Sequence, residues 1–169
     1  LLAAERLAAD ERIVGIVGPE SSQNCATAVT VFEEAGLAHI SPSCTGPELT
    51  ERGYQTFFRV VPRDDVQGPA DAVFIAQELG ATSVFIVDDQ SSYSTGLAAQ
   101  AERKLKELGV TDVTRQSISQ KDSDFSALLT LVKSEAPDVL YIPIQLPSQG
   151  AQIAKQMREL GVEATLVGS

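Results

Sequence analysis

The sequence predicts an α/β protein built on parallel sheets, and three observations carry that prediction. Short β-branched runs alternate with helical spans along the chain. Three predicted helices leave through the same tripeptide, at Glu78-Leu79-Gly80, Glu107-Leu108-Gly109 and Glu159-Leu160-Gly161. The composition, 43% hydrophobic and 21% charged over 169 residues, is that of a folded globular chain. Alternating strands and crossover helices give a doubly wound sheet.

Taken in order, Leu1 to Asp10 is rich in Leu, Ala and Arg and reads as helix, with apolar positions 1, 2, 4, 7 and 8 on one face. It lacks the basic n-region of a signal peptide, and Glu5 and Arg6 interrupt its apolar part. Ile13 to Val17 reads as a strand buried on both faces, closed by Gly18-Pro19. Ser21 or Ser22 caps a helix running to about Ala35. Ala38 to Ile40 is a brief strand, Ser41 to Pro47 a proline-bounded loop, and Pro47 to Thr50 one helical turn. Thr56 to Val61 alternates as a strand does, and Pro62 to Asp65 breaks it.

A second series follows: helix 67–79, strand 83–87, helix 95–108, strand 113–118, a helix capped by Ser123 or Asp124 through Ala136, strand 139–142, helix 149–160 and strand 164–167. The expected organisation is a partial lobe at 1–62, a crossover at 63–66 and a nearly complete lobe at 67–169. The first lobe has too few strands to cover its own sheet, so an apolar edge or face is expected there. Both ends of the chain read as cut from something larger.

The formal charge, −10 from 13 basic and 23 acidic residues, opposes a nucleic-acid partner, whose phosphates need Lys and Arg. No apolar stretch approaches the ~18 residues of a membrane helix. One His and two Cys cannot supply a four-ligand zinc site of nitrogen and sulfur donors, and no metal or cofactor is expected. A Ser-His or Cys-His catalytic pair would need His39, which reads as a structural strand residue. The chain is therefore not read as an enzyme.

Ligands of doubly wound sheets bind beyond the carboxyl ends of the strands. There the chain offers Ser22 at a helix N-terminus, where free N–H groups and a hydroxyl suit a carboxylate, and Ser43 and Thr45 in the next loop. Plain helix capping is the competing reading of Ser22. Phosphate loops of the GxxxxGK[ST] or GxGxxG kind are absent. Asp88-Asp89, at a later strand end, reads as a capping pair in a solvated turn. Cys25 and Cys44, 19 residues apart, both lie beside this candidate site. A disulfide and two buried thiols are both open, because the bond needs Cα atoms within ~7 Å.

The run Ile40-Ser41-Pro42-Ser43-Cys44-Thr45-Gly46-Pro47-Glu48-Leu49-Thr50-Glu51-Arg52-Gly53-Tyr54, with Phe58-Arg59 and Asp64-Asp65-Val66-Gln67-Gly68-Pro69-Ala70, resembles the branched-chain amino-acid binding proteins of ABC transporters. So do Tyr93-Ser94-Thr95-Gly96-Leu97-Ala98 and Asp124-Phe125-Ser126-Ala127-Leu128-Leu129. These are periplasmic binding proteins of the type I fold, and the resemblance covers essentially the whole chain. It implies two doubly wound lobes, the first incomplete here, that close on a small ligand. It implies an exported protein, periplasmic or anchored at the cell surface, that passes its ligand to an ABC transporter permease.

Carried over by residue, the resemblance implies that the Ser22 hydroxyl and N–H hold the ligand carboxylate, that Thr45 contacts the amino-acid head group, and that Ser43 offers backbone contacts beside it. Asp64 then stands at the hinge side of the cleft and Tyr93 closes over the ligand from the second lobe. Gln145 replaces a tyrosine of the family's Gly-Gly-Tyr-Tyr-like run, here Pro143-Ile144-Gln145-Leu146, and so leaves side-chain specificity open. The acidic partner of the ligand ammonium falls at or beyond Ser169. The wider family also takes amides, urea and aromatic acids. The alternative function is a ligand-sensing domain of a receptor or transcriptional regulator with the same fold. An incomplete first lobe also implies self-association of the isolated chain.

Overall fold

The structure, a computed structural model, describes residues 1–169. They divide into two compact units, Leu1–Asp64 and Asp65–Ser169.

The first unit holds α1 (Leu2–Ala8), β1 (Ile16–Val17), α2 (Ser22–Glu34), β2 (His39–Ser41), a 3-10 turn (Pro47–Thr50) and β3 (Phe57–Arg59). The strands form a parallel sheet in the order β1-β2-β3. Side chains of a strand alternate between faces. The register aligns Ile16, His39 and Phe57 in one row, and Val17, Ile40 and Phe58 in the next. The first row faces α2: Ile16 packs with Ala28, Phe32 and Leu37, and Phe57 packs with Cys25, Val29 and Leu49. The His39 ring sits buried between Phe32 and Phe57, 4.9 and 5.2 Å away by ring centroids. Burial pushes its pKa down, against the opposing Leu37 backbone and Glu33 charge, so the ring is held neutral.

The second row is bare: Val17 is 87% exposed, Ile40 44% and Phe58 52%. This is the expected uncovered face. It also corrects the reading of 13–17 as a strand buried on both faces. Only Ile16 and Val17 pair, and Val14 is 92% exposed. The apolar run is real, but α2 covers only one side of it. The apolar face of α1 is likewise mostly open. Ala4 is buried against α2, whereas Leu1 and Leu2 are exposed.

The second unit contains the rest of α3, which runs from Asp64 to Val73 and continues as a π-helical turn over Phe74–Glu78. It continues with β4 (Ser83–Asp88), α4 (Ser92–Glu107), β5 (Asp112–Ser117), α5 (Ser126–Glu135), β6 (Val139–Ile142), α6 (Pro147–Leu160) and β7 (Thr165–Gly168). All pairings are parallel, in the order β5-β4-β6-β7. Alternation along β4 and β6 builds two cores. Val84, Ile86, Val139 and Tyr141 meet α3 and α4 through Ala72, Ile75, Ala98, Ala101 and Leu105. Phe85, Val87, Leu140 and Ile142 meet α5 and α6 through Leu129, Val132, Ile153 and Met157. Helices on both faces make the sheet doubly wound. Fully burying one such apolar side chain contributes about 1.5–3 kcal/mol, so β4 and β6 anchor the unit.

Several bounds differ from the expected ones. The chain enters α3 at Asp64, inside the expected 63–66 crossover. Helix α4 starts three residues early because Ser91 caps it, its Oγ accepting from Ser94 N at 3.1 Å. Helix α5 starts later than either expected cap. Phe125 holds the cap position, and Asp124 accepts instead from Ser126 N at 2.9 Å. Gly109 and Gly161, at two of the shared helix exits, have φ of +89° and +62°, a left-handed turn that glycine makes without strain.

Candidate functional site

In the first unit the candidate residues gather where β1 and β2 end. Ser21 caps α2 by accepting from Asn24 N at 3.3 Å, which leaves Ser22 as the first helical residue. The earliest amides of a helix have no intrahelical acceptor and carry its positive dipole end. Ser22 is buried, and its Oγ accepts from Gly46 N at 3.2 Å, a bond that does not use its own O–H. That contact brings the loop after β2 onto the N-terminus of α2.

The loop is held by many backbone hydrogen bonds. The buried Ser41 hydroxyl donates to Pro19 O at 2.8 Å and accepts from Cys44 N at 2.9 Å and Ser43 N at 3.3 Å. Ser43 Oγ donates to Glu20 O. Asp64 N donates to Thr45 O at 3.0 Å. Arg59, the last residue of β3, donates to Cys44 O at 3.0 Å and Gly46 O at 2.9 Å. Cys25 and Cys44 form a disulfide with Cα atoms 6.4 Å apart, tying the first turn of α2 to the same loop. Within this arrangement the hydroxyl of Thr45, a residue 7% exposed, has no hydrogen-bond partner. Buried polar groups are nearly always satisfied, so an orphan hydroxyl beside free helix amides marks a place for a polar ligand group. Amide donors and hydroxyls of this kind suit a carboxylate.

In the second unit Tyr93, in the first turn of α4, and Gln145, in the loop after β6, are half-buried, and Asp89 joins these segments. Its carboxylate accepts from Ser91 Oγ at 2.6 Å, Ser91 N at 3.0 Å, Gln145 N at 2.7 Å and Gln120 Nε2 at 3.3 Å. Burial raises the pKa of Asp89, but the Ser91, Gln145 and Gln120 bonds outweigh it and hold the carboxyl below the usual range. Asp88 is also buried and pairs with Arg115 Nε at 2.8 Å. Neither part of the capping-and-solvated-turn reading holds: Ser91 caps α4, with Asp89 bonded to that cap residue, and both carboxylates are buried. Both carboxylates are interior because later donors reach them, Arg115 of β5 for Asp88 and Gln120 and Gln145 for Asp89. A cavity of about 720 Å³ in this unit lies at the other end of the sheet, lined by Pro137, Val139 and Gly161. It is not part of the Tyr93–Gln145 region.

The structure thus groups Ser22, Ser43, Thr45 and Asp64 in one unit, and Tyr93 and Gln145 in the other. Ser41, Arg59 and Asp89, which organise these loops, carry no signal in the sequence beyond their places at strand ends. No helix is long and apolar enough to cross a membrane, and no cluster of three or more His, Cys, Asp or Glu residues is placed to hold a metal ion.

Residues 1–169 match the family described as periplasmic binding protein. An amino acid binding protein of Pseudomonas aeruginosa is 34% identical over 161 residues, 95% of this chain and 43% of that protein. A Leu/Ile/Val-binding protein of Rhizobium johnstonii is 34% identical over 96% of this chain and 45% of its own length. The crystal structure of a leucine binding protein, LivK, from Thermotoga maritima superposes with a TM-score of 0.91 at 33% identity, covering 99% of this chain and 47% of that one. LivJ of Streptococcus pneumoniae, solved in complex with isoleucine, gives 0.89 at 26% identity, covering 99% of this chain and 47% of that one. The chain spans about half the length of the relatives it matches. It belongs to the periplasmic binding protein family, with the parallel α/β sheets of that family's type I fold.

Proposed function

We propose that the protein is a non-catalytic, exported solute-binding protein. It captures a branched-chain or other aliphatic amino acid between its two lobes and delivers it to an ABC importer. The observation that carries this reading is the orphan Thr45 hydroxyl beside the N-terminus of α2 and Ser22. Such a half-site offers donors to a carboxylate and holds no general base beside a nucleophile. In this reading Ser22 and the first amides of α2 take the carboxylate, Thr45 the head group, and Ser43 the backbone contacts next to it. Asp64 flanks the hinge side, while Tyr93 and Gln145 meet the ligand from the second lobe. The names of the relatives, a Leu/Ile/Val-binding protein and an isoleucine complex among them, favour an aliphatic side chain.

Titration calorimetry of the full-length protein against the common amino acids tests it. Leucine, isoleucine or valine should bind at micromolar or tighter Kd. Heat from none of the amino acids, with binding of an amide or aromatic acid instead, would refute the amino-acid assignment.

A further inference from the structure

We propose that Arg59 is a positioning residue for ligand capture, acting through Thr45, which it fixes by bridging the carbonyls on either side. Arg59 Nη1 donates to Cys44 O at 3.0 Å and to Gly46 O at 2.9 Å, and Nη2 donates to Thr50 Oγ1 at 2.6 Å. The guanidinium lies 5.5 Å from the centre of the Phe57 ring, which steadies its plane. Cys44 and Gly46 are the two neighbours of Thr45, so one guanidinium nitrogen holds the Cys44–Thr45 peptide before it and the Gly46–Pro47 peptide after it. Gly46 N, in the Thr45–Gly46 peptide between them, reaches Ser22 Oγ. Arg59 therefore acts on ligand capture through the direction of the Thr45 hydroxyl, in the loop that Gly46 N seats on Ser22.

The role needs arginine specifically. A guanidinium presents planar donors in a fixed geometry, whereas an ammonium on a flexible stem does not hold two carbonyls and a hydroxyl together. Ser41 and the Cys25–Cys44 disulfide fix the start of the loop, at Ser43 and Cys44. The Thr45–Gly46 end depends on Arg59, on Asp64 N and on the Ser22 bond.

This inference rests on the reading of Ser22 and Thr45 as the carboxylate half-site, and its test separates the two. Arg59→Lys, Thr45→Val and the double variant are made in the full-length protein. L-leucine binding is measured by calorimetry, and amide exchange at Thr45 and Gly46 by NMR. Arg59→Lys is expected to weaken leucine binding about 10-fold, and to cost little further in the Thr45→Val background, because the two act as one unit. Equal weakening in both backgrounds, or an unchanged Kd, would overturn the inference. If wild-type protein binds no leucine, the functional reading fails and the exchange data decide the Arg59 role. Faster Gly46 exchange in Arg59→Lys, about 10-fold or more, supports it; unchanged exchange refutes it.

Discussion

Replacing Thr45 by valine separates a ligand-binding hydroxyl from a structural one, because the two roles predict opposite signs. Thr45 is 7% exposed and its Oγ1 has no partner. A buried hydroxyl left without a hydrogen bond costs about 1–3 kcal/mol. Valine has the same branched shape and removes that cost, so the unliganded variant should be as stable as wild type or more so, by about 1 kcal/mol. In a chain of this size each kcal/mol moves Tm by about 2–4 °C. Ligand binding should move the other way. A hydrogen bond to a charged head group contributes about 1.5–3 kcal/mol, so losing it should weaken the Kd about 10- to 150-fold. Thermal unfolding without ligand and calorimetry with leucine give both quantities. A lower Tm with an unchanged Kd would refute the reasoning and make Thr45 a structural residue.

Three further outcomes follow from other contacts. Replacing Cys25 and Cys44 together by alanine opens a loop of sequence separation 19, and chain entropy sets the loss at about 3 kcal/mol, read as a lower urea midpoint. His39 has a folded pKa below its unfolded value, so the unfolded chain takes up protons first as pH falls. Stability should then be full above the unfolded pKa of about 6.5 and decline below it, and His39→Phe should flatten that slope in urea melts between about pH 7 and 5. Asp89→Ala strips an interior acceptor from Ser91, Gln120 and Gln145. It should cost about 3 kcal/mol in urea unfolding, and it should also weaken ligand binding by freeing the α4 start that carries Tyr93 and the loop that carries Gln145. Full binding with lowered stability would detach those segments from the site.

What the sequence revealed, and what it hid, divides along the range of the interactions. Strand β6 matches its expected range, Val139–Ile142. A four-residue apolar run between Pro137 and Pro143 has no competing local pattern. The start of α4 was obscured because polar Ser92 and Ser94 occupy its first turn, and the Ser91 cap looks like any loop serine. The β1 run shows its type but not its burial, since periodicity cannot tell how many faces a neighbour covers. The burial of Asp89 is hidden from the sequence because its donors Gln120 and Gln145 come from 31 and 56 residues away. The places of Ser22 at a helix start and Thr45 after a strand follow from the sequence, because these are local features. The clamp that holds them does not, for Arg59 reaches back 15 residues to Cys44 and 13 to Gly46.

The central claim is that the α2 N-terminus, Ser22 and Thr45 recognise a carboxylate. Its most direct test is calorimetry of the full-length protein with L-leucine and with L-leucinamide, which share a side chain and an ammonium group but differ at that one charge. The half-site predicts leucine binding at micromolar or tighter Kd and leucinamide weaker by about 100-fold or more, in line with losing charge-assisted bonds. Equal affinity for the two would contradict it.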